Sequence, residues 1–293
     1  MPGTSAHHIT VTPAPPFLRF GSIDPVSPIV ISVPHAGRDY PAALRAVSRV
    51  PISTIAALED RYVDAVALAA RGSETMLVQQ RARAWIDLNR GEDERDPRVD
   101  EGAPSDVSGA SAKLRSGLGL VPRRAAGGGD LWSRRWTAAA IAARIVADHR
   151  PYHQALAAAL TAARARWGVA VLLDLHSMPP LTGADAARLV IGDRFGRAAE
   201  ERFVRRVEQV GVGAGLPVER NAPYAGGHIL ERHGTPGESV HAIQLEVDRS
   251  LYLDRALDRV DAAGVTRVAQ IVRNVLDALA DEAAGMPMPL AAE

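Results

Sequence analysis

Four apolar runs in the chain each end in residues that could hold a metal or a carboxylate. PIVISVP (28–34) runs into His35-Ala36-Gly37, ARAWIDL (82–88) into Asn89-Arg90, VAVLLDL (169–175) into His176-Ser177, and HAIQL (241–245) into Glu246-Val247-Asp248. One such end would be ordinary, since a histidine after a proline or an Asn-Arg turn is common in loops. Four together point to a site. Two histidines with one carboxylate form a recurring catalytic zinc set that leaves the fourth position to water. His35 and His176 supply the nitrogens, and the acidic ligand stays open among Glu59, Asp60, Asp39 and Asp174. Zinc brings the pKa of water toward neutrality, and a nearby glutamate can take the proton and pass it to a leaving amine. Glu246 suits that part. Arg90 can hold a carboxylate through paired hydrogen bonds, and Arg83 can polarise a carbonyl and steady an oxyanion.

The elements that must position these groups follow from apolar period and turn residues. Strands are expected at 28–34, 75–79, 82–88, 169–175, 188–191 and 241–247. If 82–88 is a strand, Arg83, Trp85, Asp87 and Asn89 share one of its faces. Helices are expected at 41–47, 53–71, 133–150, 195–210 and 254–282, with another at 152–167 opened by Pro151. Residues 91–130 and 211–237 are rich in glycine and proline and lack periodicity, and a connection as long as the first is usually a functional loop or lid. Strands alternating with helices predict a single α/β domain with a mixed, mostly parallel sheet flanked by helices. Its ligands should gather outside the carboxyl ends of the strands. The expected boundaries are a lead-in at 1–16, a catalytic domain at 17–285 and a tail at 286–293.

Composition narrows the chemistry. The chain has no cysteine, which excludes thiolate zinc sites, iron–sulfur clusters and a cysteine nucleophile. Its 34 basic and 34 acidic residues cancel, which argues against a nucleic-acid binder with a wholly basic surface. Lys113 is the sole lysine and is followed by leucine, so no Walker A loop is present and a Schiff-base lysine is not expected. HExxH and GxSxG are absent too. Residues 1–16 have no apolar stretch resembling a signal peptide, and no run of eighteen apolar residues occurs. A cytoplasmic protein without membrane or nucleic-acid partners is expected, as a monomer or small homo-oligomer.

Taken in order, SVPHAGRDYP (32–41), EDRYVD (59–64), RAWIDLNR (83–90), GLGLVPRR (117–124), PYH (151–153), LLDLHSMPP (172–180), NAPYAGGHI (221–229) and HAIQLEVDRSLY (241–252) resemble the N-formylglutamate amidohydrolases. These are bacterial zinc hydrolases with a fold like that of the zinc carboxypeptidases and aspartoacylases. The resemblance covers about residues 25–255. It implies His35, Asp60 and His176 as ligands of one Zn2+, with Co2+ or Mn2+ as substitutes, and Glu246 as general base and later acid. It puts Arg83 on the scissile carbonyl and Asn89 with Arg90 on a substrate carboxylate. Tyr224, Gly226 and Gly227 fall in its glycine-rich substrate loop. The chain departs from the family at Arg61-Tyr62, at Ala82 and at His228, which bears on acyl and amino-acid specificity rather than on the ligands. The implied reaction is hydrolysis of N-formyl-L-glutamate, a small dianion, to formate and L-glutamate in histidine breakdown. The alternatives are a related metal-dependent amidohydrolase for another N-acylamino acid or short peptide, and a non-catalytic ligand-binding protein on the same scaffold. The second carboxylate would fall to Arg123, Arg124 or Arg232.

Overall fold

Unbroken apolar runs without polar alternation belong inside a sheet covered on both faces, and that is where the chain puts them. A computed structural model describes residues 15–106, 108–125, 128–183 and 185–285; the expected tail at 286–293 and nearly all of the expected lead-in lie outside these. Its strands are β1 (Phe17–Phe20), β2 (Ile29–Val33), β3 (Thr75–Gln79), β4 (Ala170–Met178), β5 (Leu189–Gly192), β6 (Val218–Arg220) and β7 (Val240–Asp248). They form one sheet in the order β1-β3-β2-β4-β7-β5-β6. The central four, β3, β2, β4 and β7, are parallel, while β1 and β5 run antiparallel to β3 and β7.

Strand period divides the interior in two. Ile29, Ile31 and Val33 of β2, with Val171, Leu173 and Leu175 of β4, pack toward the helices Val63–Ala70, Glu201–Gly213 and Ala262–Ala284. The alternate residues Val30, Leu172 and Ala242 pack on the other side, with the helix Arg150–Trp167 and the indoles of Trp132 and Trp136. Toward the carboxyl ends of the strands this second set turns polar. Val30 is followed by Ser32, Leu172 by Asp174 and His176, and Ala242 by Gln244 and Glu246. All five of these polar residues are buried.

Several expected elements are placed differently. The segment 82–88 is not a strand: only Arg81 bridges to Asp39, and the chain then turns, with Trp85 N–H bonded to Ala82 O. Trp85 therefore does not share a face with its neighbours. It packs against Trp136 and Arg144, while Arg83 reaches back to Asp87. The helix expected at 53–71 breaks at Glu59–Tyr62, where Asp60 N–H donates to His35 O and Tyr62 takes a left-handed φ of 58°. Helix 195–210 starts only at Glu201, because Arg194 and Phe195 are left-handed and Asn221 Oδ1 accepts from the N–H of Phe195. The last helix begins at Ala262, after a turn in which Asp254 accepts from Asp258 and Arg259, and Asp261 caps it. The helices expected at 133–150 and 152–167 are nearly continuous. They run through Ala138–Arg144, a π turn at Ile145–His149 and Arg150–Trp167, and the wider turn accommodates Pro151. Among the described residues no helix is long and apolar enough to cross a membrane.

Burial pushes His233 and His241 down to about 4 and His153 further in the same direction. The folded chain keeps these rings neutral, whereas the unfolded chain takes up protons near an ordinary pKa of about 6.5. Their contribution to stability is complete above that value and is lost as the pH falls toward 4. Urea unfolding should show stability dropping over this window, by about 3 kcal/mol for each of His233 and His241. A chain and its His241→Gln variant that lose stability equally from pH 7 to 4.5 would contradict the assignment for His241.

Candidate active site

The carboxyl ends of β2 and β4 bring His35 and His176 to a ring-centroid separation of 4.8 Å. Between them stands Asp60, carried in by the break in the helical segment. Its Oδ2 lies 2.9 Å from His176 Nδ1 and 3.6 Å from His35 Nδ1. On the far side of each ring sits a second carboxylate. His35 Nε2 is 2.7 Å from Asp87 Oδ1, and His176 Nε2 is 2.8 Å from Asp174 Oδ2. With each Nε2–H donated outward, both Nδ1 lone pairs converge on Asp60. His35 Nδ1 is buried and has no hydrogen-bond partner. Two imidazoles and a carboxylate, each imidazole backed by a carboxylate, fit a divalent cation. The donors are nitrogen and oxygen, as a chain without cysteine requires.

Of the four acidic candidates, Asp60 is the one that meets both histidines. Glu59 turns away to the Tyr40 hydroxyl and to Arg61, 3.1 Å distant. Asp39 pairs with Arg81. Asp174 accepts from His176 and from Ser32 Oγ, 2.7 Å away. Burial opposes the charge on Asp60, but the neighbouring His176 and His35 outweigh it and hold the carboxyl well below the usual range. Arg249 Nη2 adds a hydrogen bond to Asp60 Oδ1 at 3.1 Å.

The pairing of β4 with β7 places Glu246 directly beside His176. Its Oε1 accepts from Gln244 Nε2 at 3.0 Å, and Gln244 Oε1 accepts from Asn89 Nδ2 at 3.3 Å. Burial raises Glu246, against the pull of His176, and with Asp60 adding to the rise it reaches about 7. Arg83 Nε donates to Asp87 Oδ2 at 2.9 Å. Arg90 donates to the carbonyls of Leu118 and Asn89.

Every residue assigned to the site from the sequence lines one cavity of 630 Å³: His35, Asp60, His176, Glu246, Arg83, Asn89, Arg90, Tyr224, Gly226 and Gly227. Of the candidates for a second carboxylate, Arg124 lines it too. Arg123 is bound to Asp96 and Asp130, and neither it nor Arg232 lines the cavity. Asp87, Gln244, Arg249 and Lys113 carry no role among the expectations drawn from the sequence. Asp87 had a visible signal: Asp87-Leu88-Asn89 and Asp174-Leu175-His176 repeat the same pattern, and in both the aspartate supports one of the two site histidines.

A family model for N-formylglutamate amidohydrolase matches residues 27–253, and the chain belongs to that family. It is 27% identical over 260 residues to an N-formylglutamate deformylase of Pseudomonas putida, covering 86% of this chain and 92% of the relative. It is 32% identical over 137 residues to an N-formylglutamate deformylase of Pseudomonas aeruginosa, a match that spans 44% of this chain and about half, 51%, of the relative. Among solved structures, an N-formylglutamate amidohydrolase from Ralstonia eutropha JMP134 superposes with a TM-score of 0.79 at 31% identity, covering 92% of this chain and 98% of the other. The Atu2144 product of Agrobacterium tumefaciens shares the fold, with a TM-score of 0.63 at 19% identity over 92% of this chain and 96% of the other.

A Cβ added at Gly227 would stand 2.5 Å from Asn89 Oδ1, too close for any side chain to share the space. Gly227→Ala should push Asn89 off Gln244 and off the N–H of Ile229, which it now caps at 2.9 Å. Steady-state kinetics should then show a KM increase of roughly tenfold, for the loss of a hydrogen bond to a charged ligand group. Unchanged KM would mean that Asn89 does not touch the ligand.

Proposed function

We propose that the chain hydrolyses N-formyl-L-glutamate to formate and L-glutamate with one zinc ion bound by His35, Asp60 and His176, in the cytoplasm, as a step in histidine breakdown. The observation that carries this reading is the convergence of both Nδ1 atoms on Asp60 with Glu246 beside them, on a chain of this family. The names of the Pseudomonas and Ralstonia relatives support the substrate. Zinc, when bound, supplies a Lewis acid that polarises the formyl oxygen and makes water acidic enough to be deprotonated near neutral pH.

The chain's own residues do the rest. Glu246, buried beside His176, accepts the proton of the attacking water and then delivers it to the departing nitrogen. Arg83, locked by Asp87, offers its remaining N–H groups to the developing oxyanion. Asn89 and Arg90 receive a substrate carboxylate, and Tyr224 with Gly226 and Gly227 closes the cavity wall. Asp87 and Asp174 hold the two imidazoles in the tautomer that leaves Nδ1 free.

Formate release from N-formyl-L-glutamate by zinc-loaded and chelator-stripped protein tests the reading. Activity should require the metal, and Glu246→Gln should lower kcat by roughly a thousandfold, within the range typical of lost general acid–base catalysis. Full activity in that variant would remove Glu246 from the mechanism, and release of another acyl group without formate would remove the substrate. Asp174→Asn should weaken zinc retention by roughly ten- to a hundredfold in a chelator competition, with His176 and Asp60 themselves intact.

A further inference from the structure

Five cationic side chains line the cavity: Arg83, Arg90, Lys113, Arg124 and Arg249. Three already face a carboxylate of the protein. Arg83 is held by Asp87, Arg249 by Asp60, and Arg124 lies 3.6 Å from Asp130. The other two make no ion pair among the described residues. Arg90 Nε and Nη1 donate to two backbone carbonyls, and the Lys113 ammonium has no hydrogen-bonded or ion-paired partner among the described residues; its Nζ stands 5.8 Å from the centre of the Tyr224 ring. Two cations without a directly paired protein carboxylate in one cavity match two carboxylates on one ligand.

We propose that Lys113 is the residue that selects acidic substrates, its ammonium receiving the side-chain carboxylate of the N-acylamino acid while Arg90 and Asn89 hold the α-carboxylate. This rests on the deformylase reading for the reaction but not for the recognition of a dianion. Lys113 is delivered by a short helix, Ala112–Arg115, whose N-cap Ser111 accepts from Leu114 N–H and donates to Glu94 Oε1. The helix is thereby tied to the same loop as Arg90, since Glu94 Oε2 also accepts from the N–H of Gly91. Burial and the neighbouring Arg90 and Arg83 lower the lysine's pKa, the direction expected of a cation kept near other cations until an anion arrives. Of Arg123, Arg124 and Arg232, the arginines expected from the sequence for a second carboxylate, Arg124 lines the cavity beside Lys113, which unlike it faces no protein carboxylate at ion-pair distance.

Glutarate and valerate have equal length and differ by one carboxylate, and neither can be hydrolysed, so their affinities isolate the recognition step. In the zinc-loaded chain, Lys113→Gln should lower the glutarate-to-valerate affinity ratio by roughly tenfold, and Lys113→Arg should restore most of it. Lysine labelled with ¹⁵N gives a single Nζ resonance here, which should move on adding glutarate and much less on adding valerate. In turnover, the kcat/KM ratio of N-formyl-L-glutamate to N-formyl-L-norleucine should fall by a similar factor in Lys113→Gln. An unchanged affinity ratio, or equal losses for both ligands, would overturn the proposal. A glutarate response without any formate release would leave the Lys113 seat standing and sink the deformylase reading.

Discussion

Asp87 is a carboxylate with no exposure to solvent that accepts three hydrogen bonds at once: from His35 Nε2, from Arg83 Nε and from the backbone N–H of Asn89. Burial alone would neutralise it, but Arg83, His35 and Arg90 outweigh burial and hold it well below the ordinary range. A buried charge is tolerated only when its partners are fixed. Here the constraint works in both directions, because one carboxylate sets the tautomer of His35, the direction of a guanidinium and the turn that presents Asn89. The segment 82–88 cannot be a strand for this reason. Extended backbone would send Asp87 and Asn89 to one face at fixed spacing, whereas the turn lets Asp87 look back toward Arg83 and His35.

The backbone around Asp87 is secured from behind by a cluster of imidazoles. His153 Nε2 lies 3.0 Å from Leu88 O, and His149 Nε2 lies 2.9 Å from Arg90 O. His153 Nδ1 meets His233 Nε2 at 2.9 Å. These rings sit on the π turn and the long helix after it, and on the helix His228–His233, so elements distant in sequence hold the carbonyls flanking Asn89. A sparsely used backbone form, the π turn, appears where the long helix must present two histidines to this segment.

The sequence displayed the framework of the site because its rule is local. An apolar run buried on both faces is recognisable by composition, and the residue just past its end is where an α/β sheet exposes chemistry. His35, His176 and Glu246 were legible in that way. Asp60 was not separable from Glu59 by pattern, since both sit in one polar stretch of an apparently continuous helical spacing. What separates them is a tertiary contact, the hydrogen bond from Asp60 N–H to His35 O, reinforced by Tyr40 drawing Glu59 aside. The turn at 82–88 was hidden for the same reason: its β-favouring composition is overridden by Asp87 pairing with residues 4 and 52 positions away. Arg249 and Lys113 come from connecting segments with no period, where side-chain direction depends wholly on packing.

Zero net charge over the chain conceals a polarised cavity. Part of its wall holds Asp60 and Glu246, backed by Asp87 and Asp174, all buried. Arg83 and Arg249 offset part of that charge, which leaves the wall suited to a cation. The side formed by Arg90, Lys113 and Arg124 carries positive charge that protein carboxylates only partly balance. A ligand with an uncharged acyl amide at one end and carboxylates at the other has one favourable orientation in such a field. Turned around, its carboxylates would face buried carboxylates in a low-dielectric pocket, where like charges repel strongly. On the proposed reading, the distribution of charge orients the ligand before any hydrogen bond to the amide forms, and brings the amide to Glu246 and the two Nδ1 atoms.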